Sequence, residues 1–206
     1  MGEHDLLQYA RSVYIHDTEQ DSTPNANIFV PDTLLPHLHY FRSLDRVRNL
    51  IIEGYDADSW AAHYEACFAH FYPILTSLTL RRPSGHYQAL LRFALQFPNL
   101  KYLCFEWLDE SVYRILRDVT TPAVIDRSPF ARGHLRLARI DDAVDWPMDF
   151  VDELRNGFNF QSVELENSFG DHGQRLLNAY ADAIEHLTIT PSQMGAYWFS
   201  SPHRAR

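Results

Sequence analysis

Long apolar runs are absent from this sequence. No window approaches the roughly 18 consecutive apolar residues that a membrane-spanning helix requires, so no membrane span is expected. Cysteine is scarce: Cys67 and Cys104 stand far apart, which gives no disulfide framework and suits a reducing compartment. Positive charge is in deficit, with 18 Lys and Arg against 27 Asp and Glu and a formal net charge of -9. Such a chain is a poor nonspecific partner for nucleic acid or an anionic membrane, and neither is expected to bind. The opening Met1-Gly2-Glu3-His4-Asp5 shows no basic stretch ahead of an apolar run, so no secretory leader is expected. The N-terminal acylation pattern is also missing. These absences together predict an intracellular protein, cytoplasmic or nuclear.

Catalytic and nucleotide-binding signatures are lacking too. There is no Gly-x-x-x-x-Gly-Lys-Ser/Thr, no Gly-x-Gly-x-x-Gly, no Gly-x-Ser-x-Gly, no Cys-x-x-Cys and no His-Glu-x-x-His. Eleven histidines invite a metal search. His37 and His39 sit two apart, and His63 and His70 seven apart, a spacing that separates them by about 10 Å on a helix. Half-exposed histidines account for them better than a metal site. The acidic residues Asp141, Asp142, Asp145, Asp149, Asp152 and Glu153 fail the calcium-loop pattern, because Ala143 and Trp146 fall where a ligand and the glycine belong. A strand end and a helix N-terminus explain these acids, since the helix dipole favours them there. Gly170-Asp171-His172-Gly173 is a weak phosphate cradle, because Glu166 and Asp171 would repel the anion. No cofactor is expected.

What the sequence has is a folded composition and a repeat. The chain is 46% hydrophobic and 14% aromatic, enough for one buried core in a single domain. One motif recurs: apolar, two residues, apolar, one residue, apolar. Its copies are Val47-Leu50-Ile52, Leu75-Leu78-Leu80, Leu100-Leu103-Phe105, Phe160-Val163-Leu165 and Ile184-Leu187-Ile189. Leu135-Leu137 forms a copy whose first position is Arg132, and Ala10-Val13-Ile15 is a weaker one. The middle positions recur every 24 to 37 residues or so, against about 20–29 in leucine-rich repeats.

The last two apolar positions of each copy lie two apart, so both point to one face of a short strand. Between copies the apolar spacing turns helical, as in Trp60, Tyr64, Cys67, Phe68 and Phe71. The same holds for Leu90, Leu91, Ala94 and Leu95; for Val112, Ile115, Leu116 and Val119; and for Leu176, Leu177 and Tyr180. Residues 32 to 43 read as a further amphipathic helix. Pro73 and Pro98-Asn99 follow two of these helices, and Gly157 can end another. The expected fold is α/β: a leucine-rich-repeat-like solenoid of about six to seven strand–helix units with one parallel sheet. It should span residues 1–192, with a C-terminal tail at 193–206. Leu78, Leu103, Val163 and Leu187 should stack as one buried ladder.

The motif copies resemble the substrate-binding repeats of mushroom-type fungal F-box proteins. The residues that carry the likeness are Leu75 to Leu80 (LTSLTL), Phe97 to Leu103 (FPNLKYL) and Ile184 to Ile189 (IEHLTI). Ser128 to Leu135 resembles that family's Arg-Pro-Leu-x-Gly-x-Leu interruption, with Ser128 in the place of the arginine. The likeness covers roughly residues 8 to 192. It implies a protein–protein interaction module, the substrate-recognition part of an F-box-type ubiquitin ligase receptor, with no catalysis of its own. The implied partner is an unidentified protein or degradation substrate. No F-box pattern is visible: Leu34-Leu35-Pro36 imitates its start, but strand-like residues precede it and a repeat strand follows. A cullin adaptor is therefore expected to bind only if an F-box is supplied elsewhere.

Residues between and beside the apolar strand positions point away from the core and form the expected concave, partner-binding face. Copy by copy, the candidates are Glu53; Thr79 and Arg81; Tyr102, Cys104 and Glu106; His134 and Arg136; Glu164 and Glu166; and His186 and Thr188. Thr79 is expected to be exposed there. The alternative is an α/β enzyme or nucleotide-binding protein with a site at the strand ends, where Cys104, His134 and Asp141 would gather.

Overall fold

In each motif copy the apolar pair spaced by two ends up in a strand. The computed structural model describes residues 9–16, 44–55, 68–108, 112–113, 130–139, 148–166 and 171–190. Seven strands form one open, all-parallel sheet whose spatial order follows the sequence. They are β1 Ser12–His16, β2 Asn49–Glu53, β3 Ser77–Arg81, β5 Tyr102–Glu106, β7 Phe130–Ala138, β8 Phe158–Glu166 and β9 His186–Thr190. The intervening β4 Gly85–His86 and β6 Val112–Tyr113 pair with each other in a separate two-stranded sheet. Among the described residues, three helices connect the strands: α1 Tyr87–Leu95, α2 Met148–Gly157 and α3 Asp171–Ala179.

Strand pairing aligns the motif copies residue for residue. Val13 faces Leu50, Leu50 faces Leu78, Leu78 faces Leu103, Leu103 faces Leu135, Leu135 faces Val163, and Val163 faces Leu187. The third motif position gives a second row, Ile52, Leu80, Phe105, Leu137 and Leu165. From β2 to β8 both rows are buried. Burial of a leucine-sized side chain contributes about 1.5–3 kcal/mol, so these two rows are the main apolar term holding adjacent strands together. The first motif positions Val47, Leu75, Leu100 and Phe160 are buried beside them. The repeat extends to the backbone just before each strand. Thr76 and Ser77 N–H donate to the Arg48 carbonyl, and Lys101 and Tyr102 N–H donate to that of Thr76.

Arg132 is the anomaly in the motif, and the sheet resolves it. Register shifts between Phe130 and His134 bring Gly133 opposite Phe160. A Cβ on Gly133 would lie 3.2 Å from the Phe160 ring. That ring therefore fills the place left by the missing apolar side chain, and a bulge carries Arg132 out of the pattern.

The helices cover the apolar side of the sheet. In α1 the buried residues Tyr87, Leu90, Leu91 and Ala94 recur at helical spacing, and Gln96 and Pro98 follow its end. Phe150 of α2 touches both Tyr87 and Phe105, with ring centroids 5.7 and 6.2 Å apart. α1 packs on α2, and α2 on α3. Gly157 ends α2 as expected, and a Cβ there would come within 2.8 Å of Leu95, so its lack of a side chain lets α2 close on α1. Asn99 Nδ2 donates to the Pro73 carbonyl at 2.7 Å, linking the loops of successive units.

Two expectations are corrected. Val112 does not open a helix: it lies in β6, opposite Gly85. A β-branched residue next to Tyr113 suits an extended backbone at least as well as a helix. Leu187 is not part of the buried ladder. It is 45% exposed, and Ile189 is 39% exposed. β9 has β8 on one side and, among the described residues, no strand on the other. At this end of the sheet no described element covers Leu187 and Ile189 from beyond β9. Trp60, Tyr64, Cys67, Ile115, Leu116, Val119, Leu34 to Pro36, residues 32 to 43, Asp141 to Asp145 and the tail at 193–206 lie outside the described residues.

Candidate binding face

Side chains alternate across a strand, so each residue flanking a core position projects on the side away from the helices. Parallel register gathers them into three rows. One runs Asn49, Ser77, Tyr102, His134, Ser162, His186; the next runs Ile51, Thr79, Cys104, Arg136, Glu164, Thr188. The third runs Glu53, Arg81, Glu106, Ala138, Glu166, Thr190. All twelve sequence-proposed residues therefore fall on one face, in adjacent columns.

The centre of this face is an ion-pair network. Arg136 Nη2 lies 2.6 Å from Glu166, Nε lies 3.4 Å from Glu164, and Nη1 lies 3.8 Å from Glu106. Arg81 Nε donates to Glu106 at 2.7 Å. These side chains are half-buried, with Glu106 at 15% exposure, so water screens them less than it would a surface pair. Burial works against the charge on Arg136, yet the hydrogen bond to Glu166 and the nearby acids hold its pKa above the usual value. Arg81 is likewise held high by Glu106 against the cost of burial.

His134 joins this network to an aromatic. Its ring stacks on Tyr102 at 5.1 Å, and its Nδ1 lies 2.8 Å from Ser162 Oγ. Its Nε2 is 3.6 Å from Glu164. Burial pushes the Tyr102 hydroxyl up to about 12. Towards the first strand, Ser77 Oγ donates to Asn49 at 2.9 Å and the Tyr14 hydroxyl donates to Glu53. His16 lies 3.8 Å from the same carboxylate. Tyr14 and His16 are part of the face although the weak first motif copy did not single them out.

Two of the proposed contact residues are not available to a partner. Cys104 is buried and Thr79 is 7% exposed. Both are short side chains, and Cys104 lies beside Tyr102, Glu106 and Arg136. Burial, reinforced by the Glu106 charge, pushes the Cys104 thiol up to about 12, and its Sγ donates weakly to Glu106 at 3.8 Å. A thiol held protonated in this way is a poor nucleophile. Cys104 also pairs in register with Arg136, whereas His134 pairs with Tyr102.

At the end of each strand stands a group that sequence reasoning missed. Arg82, Trp107 and Arg139 follow β3, β5 and β7 directly, and both arginines lie over the Trp107 ring, at 5.6 and 4.6 Å from its centroid. Their shared offset from the motif was the available clue. Among the described residues, no group of three or more His, Cys, Asp or Glu is arranged to hold a metal, and no helix is long and apolar enough to cross a membrane. No family model, no curated protein and no solved structure matches this chain.

Proposed function

We propose that this chain is a leucine-rich-repeat-like solenoid that binds another protein through the polar face of its sheet and catalyses nothing. The observation that carries this reading is the face itself. Tyr102, His134, Arg136, Glu164 and His186 stand in register across consecutive parallel strands, on the side opposite the described helices. Such a broad surface of fixed aromatic and charged groups suits a protein partner, with Tyr and Arg as anchors. The Arg136 network holds its side chains in place before binding, which lowers the entropy cost of association.

The resemblance of the motif copies to fungal F-box receptors supports a narrower reading, in which the partner is a degradation substrate. The chain then needs a docking segment supplied elsewhere to reach a cullin adaptor. Affinity capture from a fungal lysate, with the full chain and with His186→Glu/Thr188→Glu, tests both levels. A partner retained by the parent chain and lost by the variant is expected. Equal capture by both contradicts the binding face. Purified adaptor co-eluting with the chain alone would overturn the docking statement. Saturable thermal stabilisation by a nucleotide or a divalent metal would favour an α/β enzyme instead.

A further inference from the structure

The residue that follows each of four successive sheet strands has a left-handed backbone: Gly54 (φ 77°), Arg82 (46°), Trp107 (61°) and Arg139 (57°). Their amides form one ladder. Gly54 N–H donates to the Arg81 carbonyl, Arg82 to Glu106, Trp107 to Ala138 and Arg139 to Glu166, at 2.9 to 3.0 Å. These are equivalent positions in consecutive units. Gly54 adopts the conformation without steric conflict, whereas a side chain there is strained. Three neighbouring units nevertheless carry Arg, Trp and Arg. An outlier repeated with such large side chains points to a use for them.

Those side chains form one stack, with Arg82 reaching Trp107 from the strand on one side and Arg139 from the strand on the other. Trp107 is 41% exposed. The carboxylates at the neighbouring strand ends are engaged elsewhere: Glu53 with Tyr14 and His16, Glu106 with Arg81 and Arg136, and Glu166 with Arg136. Among the described residues, no carboxylate pairs with Arg82 or Arg139. A guanidinium stacked on an indole uses its flat face and keeps its N–H edges for an acceptor. An acidic chain of net charge -9 thus presents two oriented cations on one rim.

We propose that Arg82, Trp107 and Arg139 form a docking site for an extended acidic segment of a partner polypeptide, with one carboxylate accepting from each guanidinium. Both guanidinium carbons lie close to one indole centroid, at 5.6 and 4.6 Å, so the two cations are at most about 10 Å apart. Carboxylates two residues apart on an extended peptide share one face and lie about 7 Å apart, within that limit. The site lies outside the three rows of the proposed face. It rests on the reading of the chain as an interaction module.

The test is fluorescence polarisation with the full chain and a labelled peptide of alternating Glu and Ser. Saturable binding that weakens as salt is raised is expected, with none for the Gln and Ser counterpart. Arg82→Gly/Arg139→Gly should weaken binding about tenfold or more and keep its denaturation midpoint, because glycine suits this backbone. Arg82→Gln/Arg139→Gln, which keeps side-chain length and removes charge, should show the same loss. His186→Glu/Thr188→Glu should bind the peptide like the parent chain. No saturable binding, equal binding of the Gln peptide, or undiminished binding by both double variants would overturn the proposal. So would tighter binding of inorganic phosphate or oligothymidylate than of the peptide. Partner capture that persists without any peptide binding overturns this site and leaves the module reading in place.

Discussion

At the scale of single residues, position along the stack decides what a side chain is worth. Leu103 and Leu187 occupy the same place in the motif, yet Leu103 is 1% exposed and Leu187 is 45% exposed. Leu103→Ala should cost about 2–5 kcal/mol, the usual range for a buried leucine. Leu187→Ala should cost about 1 kcal/mol or less, since much of its surface never leaves water. Denaturant titration of the two variants checks the contrast, and equal losses would contradict the edge position of β9. Thr79, first expected to be exposed, belongs with the buried set, and Thr79→Ala should cost about 1 kcal/mol or more rather than nothing. Cys104 makes a pH-dependent prediction. Its pKa is raised from 9.0 to about 12. Between those values the unfolded chain has lost a proton that the folded chain keeps, so stability falls as pH rises through that window, and none is lost below it. The slope for one such group is about 1.4 kcal/mol per pH unit. Cys104→Ala should flatten the alkaline decline measured by denaturation at pH 8 to 11. An unchanged slope would place the titration elsewhere.

At the scale of elements, much was legible because apolar spacing is a direct consequence of strand and helix geometry. Leu50, Leu78, Leu103, Leu135 and Val163 pair as their motif positions indicate. The spacing of Leu90, Leu91 and Ala94 marks α1, and Gly157 marks the end of α2. What stayed hidden has physical causes of three kinds. A left-handed residue is visible in sequence when it is glycine, as at Gly54, and invisible when it is Arg82 or Trp107. Thr79 lies between Ile51 and Cys104, and Cys104 between Thr79 and Arg136, and a single motif copy does not contain these cross-strand neighbours. Val112 has a spacing compatible with either element, and tertiary pairing with Gly85 made it a strand. Gly157 offers an element-scale test. Gly157→Val should cost about 1–3 kcal/mol by forcing α2 away from Leu95. Leu95→Ala in the same chain should recover part of that loss, and a strictly additive double variant would show that the two helices do not meet there.

At the scale of the whole molecule, parallel stacking gives the chain two unlike surfaces. One is apolar and covered by α1, α2 and α3. The other carries Tyr102, His134, Arg136 and Glu164 in register. The twelve proposed contact residues share the second surface because strands in register place equal motif offsets side by side; only the buried Thr79 and Cys104 drop out as contacts. The sequence contains no local signature for such a face. It arises from the parallel register of neighbouring strands.

Hydroxyl-radical footprinting of the chain, alone and bound to a partner it captures, tests the binding face most directly. Tyr102, His134 and His186 should lose reactivity in the complex, while Leu95 and Leu177 on the helices keep theirs. Protection of Leu95 and Leu177 with Tyr102, His134 and His186 unchanged would contradict the proposed face.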